Sequence, residues 1–270
     1  MDPILLILIF SALLIGFNIG LLGGGGSILA VPVFVYLMQI DPHTATSYSL
    51  FVVGMCSILA TLQNLNKGLI QYKVGLVFAI PLFVVIFSVR KFLIPTLPDV
   101  LYKGANITID LGTVLMVLFA LVMLATSISM IIGRKEKPIT PENEKKYRKN
   151  YVLLILQGMA VGLITGLVGA GGGFLIIPAL VILARLPMKN SIATSLLIIS
   201  FNSLIGFTGD IGTVNIDWSF LLIFSTIALI GVIIGLYVNT KIANAQLRKI
   251  FGYFVLVMGI LILVKEMILG

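Results

Sequence analysis

Gly20-Leu21-Leu22-Gly23-Gly24-Gly25-Gly26-Ser27-Ile28-Leu29-Ala30-Val31-Pro32 lies inside an apolar run that carries no charge from Ile4 to Ile40. A solvated glycine linker has polar neighbours, and this stretch has none. The pattern returns 146 positions later as Gly166-Leu167-Val168-Gly169-Ala170-Gly171-Gly172-Gly173-Phe174-Leu175-Ile176-Ile177-Pro178. The glycines at 20, 23, 25 and 26 and the proline at 32 all recur in register. The whole chain therefore reads as two copies built around this element.

Composition sets the solvent. Of 270 residues, 59% are hydrophobic and 10% are charged, with mean hydropathy +1.17, whereas a soluble domain carries roughly a quarter charged residues. Several uncharged runs reach the roughly 20 residues that a helix needs to cross a bilayer. The runs are solid rather than alternating, which excludes a transmembrane β-barrel. The net charge of +8 follows from retention of Lys and Arg on the cytoplasmic side of a membrane protein and does not call for nucleic acid. One cysteine, Cys56, and one histidine, His43, exclude an internal disulfide and a His/Cys metal cluster. No cofactor is expected. The start Met1-Asp2-Pro3 lacks the positive n-region of a signal peptide and reads as mature structure.

Ten apolar segments are predicted. In the first half they cover about 3–22, 27–39, 42–65, 74–89 and 111–132, and in the second about 151–168, 174–186, 191–208, 218–239 and 247–269. Asp41-Pro42 reads as the capped start of the third. The stretch 90–110, with Pro95, Pro98 and Asn106, reads as a long loop. The division is a first transmembrane repeat over 1–133, a basic cytoplasmic linker over 134–150, and a second repeat over 151–270. Two further echoes support duplication: Ala45-Thr46-Ser47 with Ala193-Thr194-Ser195, and Gly68-Leu69-Ile70-Gln71 with Gly212-Thr213-Val214-Asn215.

The second segment of each half has about 13 residues, or about 20 Å of helix, short for a ~30 Å core. If it crosses, the halves are 5+5 inverted repeats with both termini outside, and Arg185, Lys189, Lys241, Arg248 and Lys249 fall on the cytoplasmic side. In the alternative, eight crossings with re-entrant short helices, those five residues fall outside, against the positive-inside bias. The inverted, all-α reading is favoured.

Glycine- and proline-interrupted segments at matching positions of two inverted halves point to a transporter's central site. A broken helix frees backbone N–H groups which, with the helix dipole, can hold an anion without a buried cation. The candidate ligand-binding residues are Gly23, Gly24, Gly25, Gly26 and Ser27 in the first half and Gly169, Gly171, Gly172 and Gly173 in the second. The polar residues Thr46, Ser47, Thr194, Ser195 and Asn202 on the third segments join them, and Ser27 is also expected to cap the second segment. Asp210, at the end of a span, is a candidate for proton coupling. The competing reading assigns the glycines to close helix packing, since 16, 20 and 24 and likewise 158, 162 and 166 form small-xxx-small patterns. Neither run ends in the GK[ST] of a phosphate-binding loop. No catalytic residue is expected, because a serine hydrolase in the membrane needs an embedded base and His43 sits at a segment boundary beside Pro42.

The doubled Gly20–Pro32 and Gly166–Pro178 elements, each followed by Ala-Thr-Ser, resemble the TauE/SafE family of sulfite exporters and related permeases over essentially the full chain. In the second copy Ala170 and Gly173 replace Gly24 and Ser27, which argues against a symmetric role for Ser27. The resemblance implies a secondary carrier in the cytoplasmic membrane that moves sulfite, a sulfonate or a similar sulfur-containing anion. Such an anion is expected to be held by backbone N–H groups and hydroxyls, with no basic residue of the spans taking part. An anion channel is the alternative function. The partners expected are the small anion and the lipid bilayer, with homo-oligomerisation left open.

Overall fold

The computed structural model describes residues 3–93, 96, 100–103, 108–132, 151–168, 173–211 and 214–269. Within them the chain is helical apart from one small ribbon. Helix α1 spans Pro3–Leu22 and leads into a 3-10 turn, Gly23–Leu29, a short helix α2, Ala30–Pro32, and a π-turn, Val33–Leu37. Then come α3 (Pro42–Leu65), α4 (Tyr72–Ser88, continued by a π-turn Val89–Leu93) and the antiparallel strands β1 (Val100–Lys103) and β2 (Thr108–Asp110). Helix α5 spans Leu111–Ile132. The second half holds α6 (Tyr151–Val168), α7 (Gly173–Pro178) with its π-turn Ala179–Leu183, α8 (Met188–Asp210), α9 (Trp218–Lys241) and α10 (Asn244–Leu269).

Seven stretches among the described residues are long and apolar enough to cross a membrane, and Tyr151–Leu167 and Gly173–Leu183 are shorter apolar helices. This is a multi-pass membrane protein. Its helices are apolar on nearly every face because one side meets protein and the other lipid. On α4, Gly75, Phe78, Ala79 and Leu82 are buried, while Leu76, Ile80, Val84 and Phe87 are exposed.

The reading of 90–110 as a loop needs amending. A helical turn reaches Leu93, and the ribbon pairs Val100 with Asp110 and Lys103 with Thr108. The linker 134–150 lies outside the described residues.

Packing is dominated by contacts between the halves. Helix α1 packs on α9, α4 on α6, α3 on α8 and α5 on α10. The first two contacts use small residues. A Cβ at Gly16 would stand 1.8 Å from the Ala228 carbonyl oxygen, and one at Gly162 would stand 2.7 Å from that of Leu82. Gly20 and Gly235 similarly bring the α1 and α9 backbones together. The small-xxx-small patterns are thus packing surfaces, through which backbones approach more closely than any side chain permits.

The two halves also repeat in detail at the spacing of 146. The π-turns 33–37 and 179–183 coincide, and Gln39 and Arg185, at φ 53° and 55°, follow them. Met38 N–H donates to the Val33 carbonyl and Ile40 N–H to that of Phe34. Their counterparts Ala184 and Leu186 donate to Ala179 and Leu180. Matching helices that meet run antiparallel: Gly54 of α3 faces Leu204 and Gly206 of α8 faces Leu50, while Gly252 of α10 faces Ile131 and Gly259 faces Met123.

Hydrogen bonds sort the charges by end. Asn190 Nδ2 donates to the Leu69 carbonyl at 2.9 Å, and Lys189 N–H and Nζ donate to Asn244 Oδ1 and the Thr240 carbonyl. These contacts gather Lys67, Lys73, Arg185, Lys189, Lys241, Arg248 and Lys249 at one end of the molecule. At the other end Ser47 meets Asp210, and Asp217 N–H donates to Tyr48 Oη. Asp41, Asp210 and Asp217 lie there with the start of α1, the end of α10 and, after α4, the basic Lys91.

Candidate functional site

Gly23 adopts φ +67°, a conformation costly for any residue with a Cβ. It reverses the chain, so that Gly26 lies on the α1 backbone, where a Cβ would come within 2.4 Å of Ile19 N. The chain then returns along α1 until Leu37–Ile40 share a cavity wall with Ile7 and Leu8. Asn239 Nδ2 donates at 2.7 Å to the Leu21 carbonyl, satisfying a helix-end acceptor that lipid cannot.

All four glycines of the run are buried and tightly surrounded. A Cβ on Gly24 would lie 2.5 Å from the Gly173 carbonyl oxygen, and one on Gly25 would lie 2.3 Å from the Phe251 ring. The two broken elements thus touch where Gly24, Ser27 and Gly173 meet. Within this 3-10 turn the amides of Gly25 and Gly26 belong to an i→i−3 ladder. Ser27 does not cap a helix start as expected; its hydroxyl donates back to the Gly24 carbonyl at 2.6 Å. Gly169, Gly171 and Gly172 lie outside the described residues, as does the side chain of His43.

Beside this junction is a cavity of about 580 Å³. Its wall runs from Ser27 and Ile199 past Thr46, Ser49 and Ser203 to Tyr36 and Lys265 at the acidic end, with Val31, Val35, Phe119 and Met258 among its apolar residues. A few hydroxyls in a largely apolar wall are what a small-ligand site requires. Two expected residues, Ser27 and Thr46, line it, as does Ser49, a candidate that ranks below Thr46 and Ser47 in the sequence because a serine in an apolar helix commonly bonds its own backbone, as Ser200 does to Leu197. Ser203, which also lines it, was not among the candidates.

The remaining candidates are elsewhere. Ser47 is fully buried and donates to Asp210 Oδ2 at 2.5 Å, so two residues singled out separately form one pair. Thr194 Oγ1 accepts from Gln71 N–H at 3.0 Å, and Ser195 Oγ donates to the Ile192 carbonyl at 2.9 Å. Both are buried away from the cavity. Asn202 is half-buried on α8 and makes an interaction of its own. One basic residue of the predicted segments, Lys265, also stands at the cavity. It lies in the last segment and in the cavity wall, with Nζ against Tyr36 Oη and 4.5 Å from the centre of that ring. Among the described residues no group of His, Cys, Asp and Glu could hold a metal ion.

A bundle of membrane-spanning helices, folded around two broken segments and holding a small-ligand cavity, belongs to the class of multi-pass membrane transporters. The model of the family described as Sulfite exporter TauE/SafE matches residues 8–262, and the chain belongs to that family. It is 31% identical over 271 residues to a "Probable membrane transporter protein" of Xylella fastidiosa (strain 9a5c), covering 96% of this chain and 95% of the relative. It is 25% identical over 273 residues to "Probable membrane transporter protein YunE" of Bacillus subtilis (strain 168), covering 94% and 95%. A shorter match, 34% over 110 residues, covers 38% of this chain and 41% of "Probable membrane transporter protein MJ0441" of Methanocaldococcus jannaschii. No solved structure matches the chain.

Proposed function

We propose that this protein is a secondary carrier that moves sulfite, a sulfonate or a related sulfur-containing anion across the cytoplasmic membrane by alternating access of two inverted five-helix halves. The family supports the substrate class. The antiparallel run of matching helices supports the inversion. Because α1 and the segment after it leave and regain the same end, ten crossings fit better than eight. The basic end then faces the cytoplasm and both termini face outward. The observation that carries the mechanism is the one-sided cavity: it reaches the acidic end, while the corresponding surfaces of the second half are packed.

Thr46, Ser49 and Ser203 hold the anion's oxygens, joined by Ser27 when its hydroxyl turns from the Gly24 carbonyl to the anion, and the glycines bring Ser27 there rather than binding directly. Ser57, which corresponds to Ser203 in the repeat, is buried with no hydrogen-bond partner. It is suited to meet the anion once the basic end opens. The Ser47–Asp210 pair couples transport to protons, the carboxylate exchanging the serine donor for a proton. Flux of sulfite, thiosulfate and small sulfonates into liposomes under an imposed proton gradient tests the reading. Saturable, gradient-dependent uptake is expected, with accumulation lost in Asp210→Asn. Non-saturating flux would instead favour a channel.

A further inference from the structure

Resting on that reading of the cavity, we propose that Lys265 and Tyr36 form the anion-capturing mouth of the transport path, where Lys265 makes the first ionic contact with an oxyanion entering from the acidic end. Lys265 is the cation lining the cavity, whose other polar groups are neutral hydroxyls. It emerges from the last turns of α10, while Tyr36 stands on the π-turn of the first broken segment. The mouth therefore joins the helix bundle to the element that carries Ser27.

The Lys265 ammonium lies against the Tyr36 hydroxyl oxygen at the edge of the ring. That contact holds the ammonium at the opening rather than out toward lipid headgroups, where a terminal lysine would otherwise snorkel. A lysine ammonium keeps three donors, so it can retain Tyr36 and still bind an oxyanion. Asp41, Asp210 and Asp217 share this end of the molecule with Lys91, so its charge is mixed, and a positive charge in the cavity wall itself marks the opening for an anion. The ligand chemistry is a small anion with at least two exposed oxygens, one for the ammonium and one for the hydroxyls below.

The test uses the full-length protein in liposomes with radiolabelled sulfite and a small sulfonate. Lys265→Met is expected to raise the half-saturating concentration about tenfold, the scale of one charge-assisted hydrogen bond, with maximal flux nearly unchanged. Lys265→Arg stays near wild type. In a Cys56→Ala background, Lys265→Cys should behave like the methionine variant. It should recover when an ammonium-bearing methanethiosulfonate modifies the thiol, and fail to recover with the sulfonate-bearing reagent. Unchanged half-saturation in Lys265→Met, or equal recovery with both reagents, would overturn the proposal while leaving the carrier reading intact. A wild-type protein that moves none of these anions would refute the substrate class. The mouth is then decided by binding alone: the sulfonate must raise the melting temperature of wild type and Lys265→Arg but not Lys265→Met, and no such difference would overturn it.

Discussion

The two broken segments, 23–37 and 173–183, share one backbone plan and occupy opposite environments. Each ends in a proline, a five-residue π-turn and a residue at positive φ. Yet Ser27, Ile28, Val31, Pro32 and Val35 line the cavity, whereas every residue from Phe174 to Val181 is buried. Because the local fold is the same, the difference arises from what is packed against each segment. On the open side, Met258, Leu261 and Ile262 of α10 stand back to form the far wall. On the sealed side, Phe119 of α5 meets Phe174 edge-on at 4.9 Å. One sequence plan can therefore be open or sealed according to where its neighbours sit. This is the requirement for a carrier whose halves exchange environments.

Cysteine accessibility tests this contrast with the largest expected effect. In a Cys56→Ala background, Val31→Cys should react rapidly with an impermeant thiol reagent applied from the acidic end. Ile177→Cys, at the matching position, should resist by orders of magnitude, as expected for a side chain that is 0% exposed. Turnover with a transported anion should lower the first rate and raise the second. Equal reactivity at both positions without substrate would remove the asymmetry.

Next in size are the glycines that build the open segment. Gly24→Leu drives a side chain into the Gly173 carbonyl and should leave no folded protein in a size-exclusion profile. Gly25→Ala meets the end of the Phe251 ring, which can yield. It should cost about 1–3 kcal/mol, the range for overpacking, and Phe251→Leu should recover most of that loss. Gly209→Ala, with nothing within 4 Å, should stay within about 0.5 kcal/mol and control for glycine loss alone. If Gly25→Ala abolished transport at unchanged stability, the glycine amides would be ligand groups after all.

How much of this was legible in the sequence depends on what each residue answers to. The helices were legible because the bilayer dictates long uncharged runs, and predicted ends such as 42–65 and 111–132 match α3 and α5. That Gly20–Pro32 breaks a helix was legible as well. That Gly23 reverses it was not, since a glycine's letter does not disclose its φ. Aligning Ala45-Thr46-Ser47 with Ala193-Thr194-Ser195 set the third helices two residues out of register. The structure matches Tyr48-Ser49 with Thr194-Ser195, because Asp217 N–H donates to Tyr48 as Gln71 N–H donates to Thr194. A shared acceptor position outlasts identity of the side chain that supplies it. Lys265 was not singled out because a lysine at the end of a span is ordinarily a lipid anchor; its place in the cavity wall is visible only in the structure.

The cavity serines refine the contrast on a smaller scale. Ser49 lines the cavity and Ser195, its counterpart, is sealed against Ile192. A hydroxyl that donates to an anion contributes about 1.5–3 kcal/mol, the lower end of which is about a tenfold change in an equilibrium constant. Ser49→Ala should therefore raise the half-saturating concentration for uptake from the acidic end by about that factor, and Ser195→Ala should leave it within about twofold. Reversing the direction of flux should exchange the two effects if the halves alternate. A fixed pore would keep Ser49 dominant in both directions.

The smallest effects are expected where the halves remain alike. Tyr48 and Thr194 each accept the backbone N–H that precedes the fourth helix of the other half, tying each third helix to the opposite repeat. Tyr48→Phe and Thr194→Val delete the acceptors and leave that amide unpaired, at about 1–3 kcal/mol if it stays buried and less where water reaches it. Asp217 is exposed and Gln71 only half-buried, so both losses should fall at or below the lower end and appear as modest drops in melting temperature of similar size. These two bonds coexist in a state where one segment is open and the other sealed, so they hold the halves together without choosing between them. Equal destabilisation with unchanged transport asymmetry would identify them as the fixed frame about which the two segments exchange. If Tyr48→Phe alone altered the accessibility of Val31→Cys, the Tyr48 bond would belong to the moving side, and the symmetry would be broken at the frame as well as at the cavity.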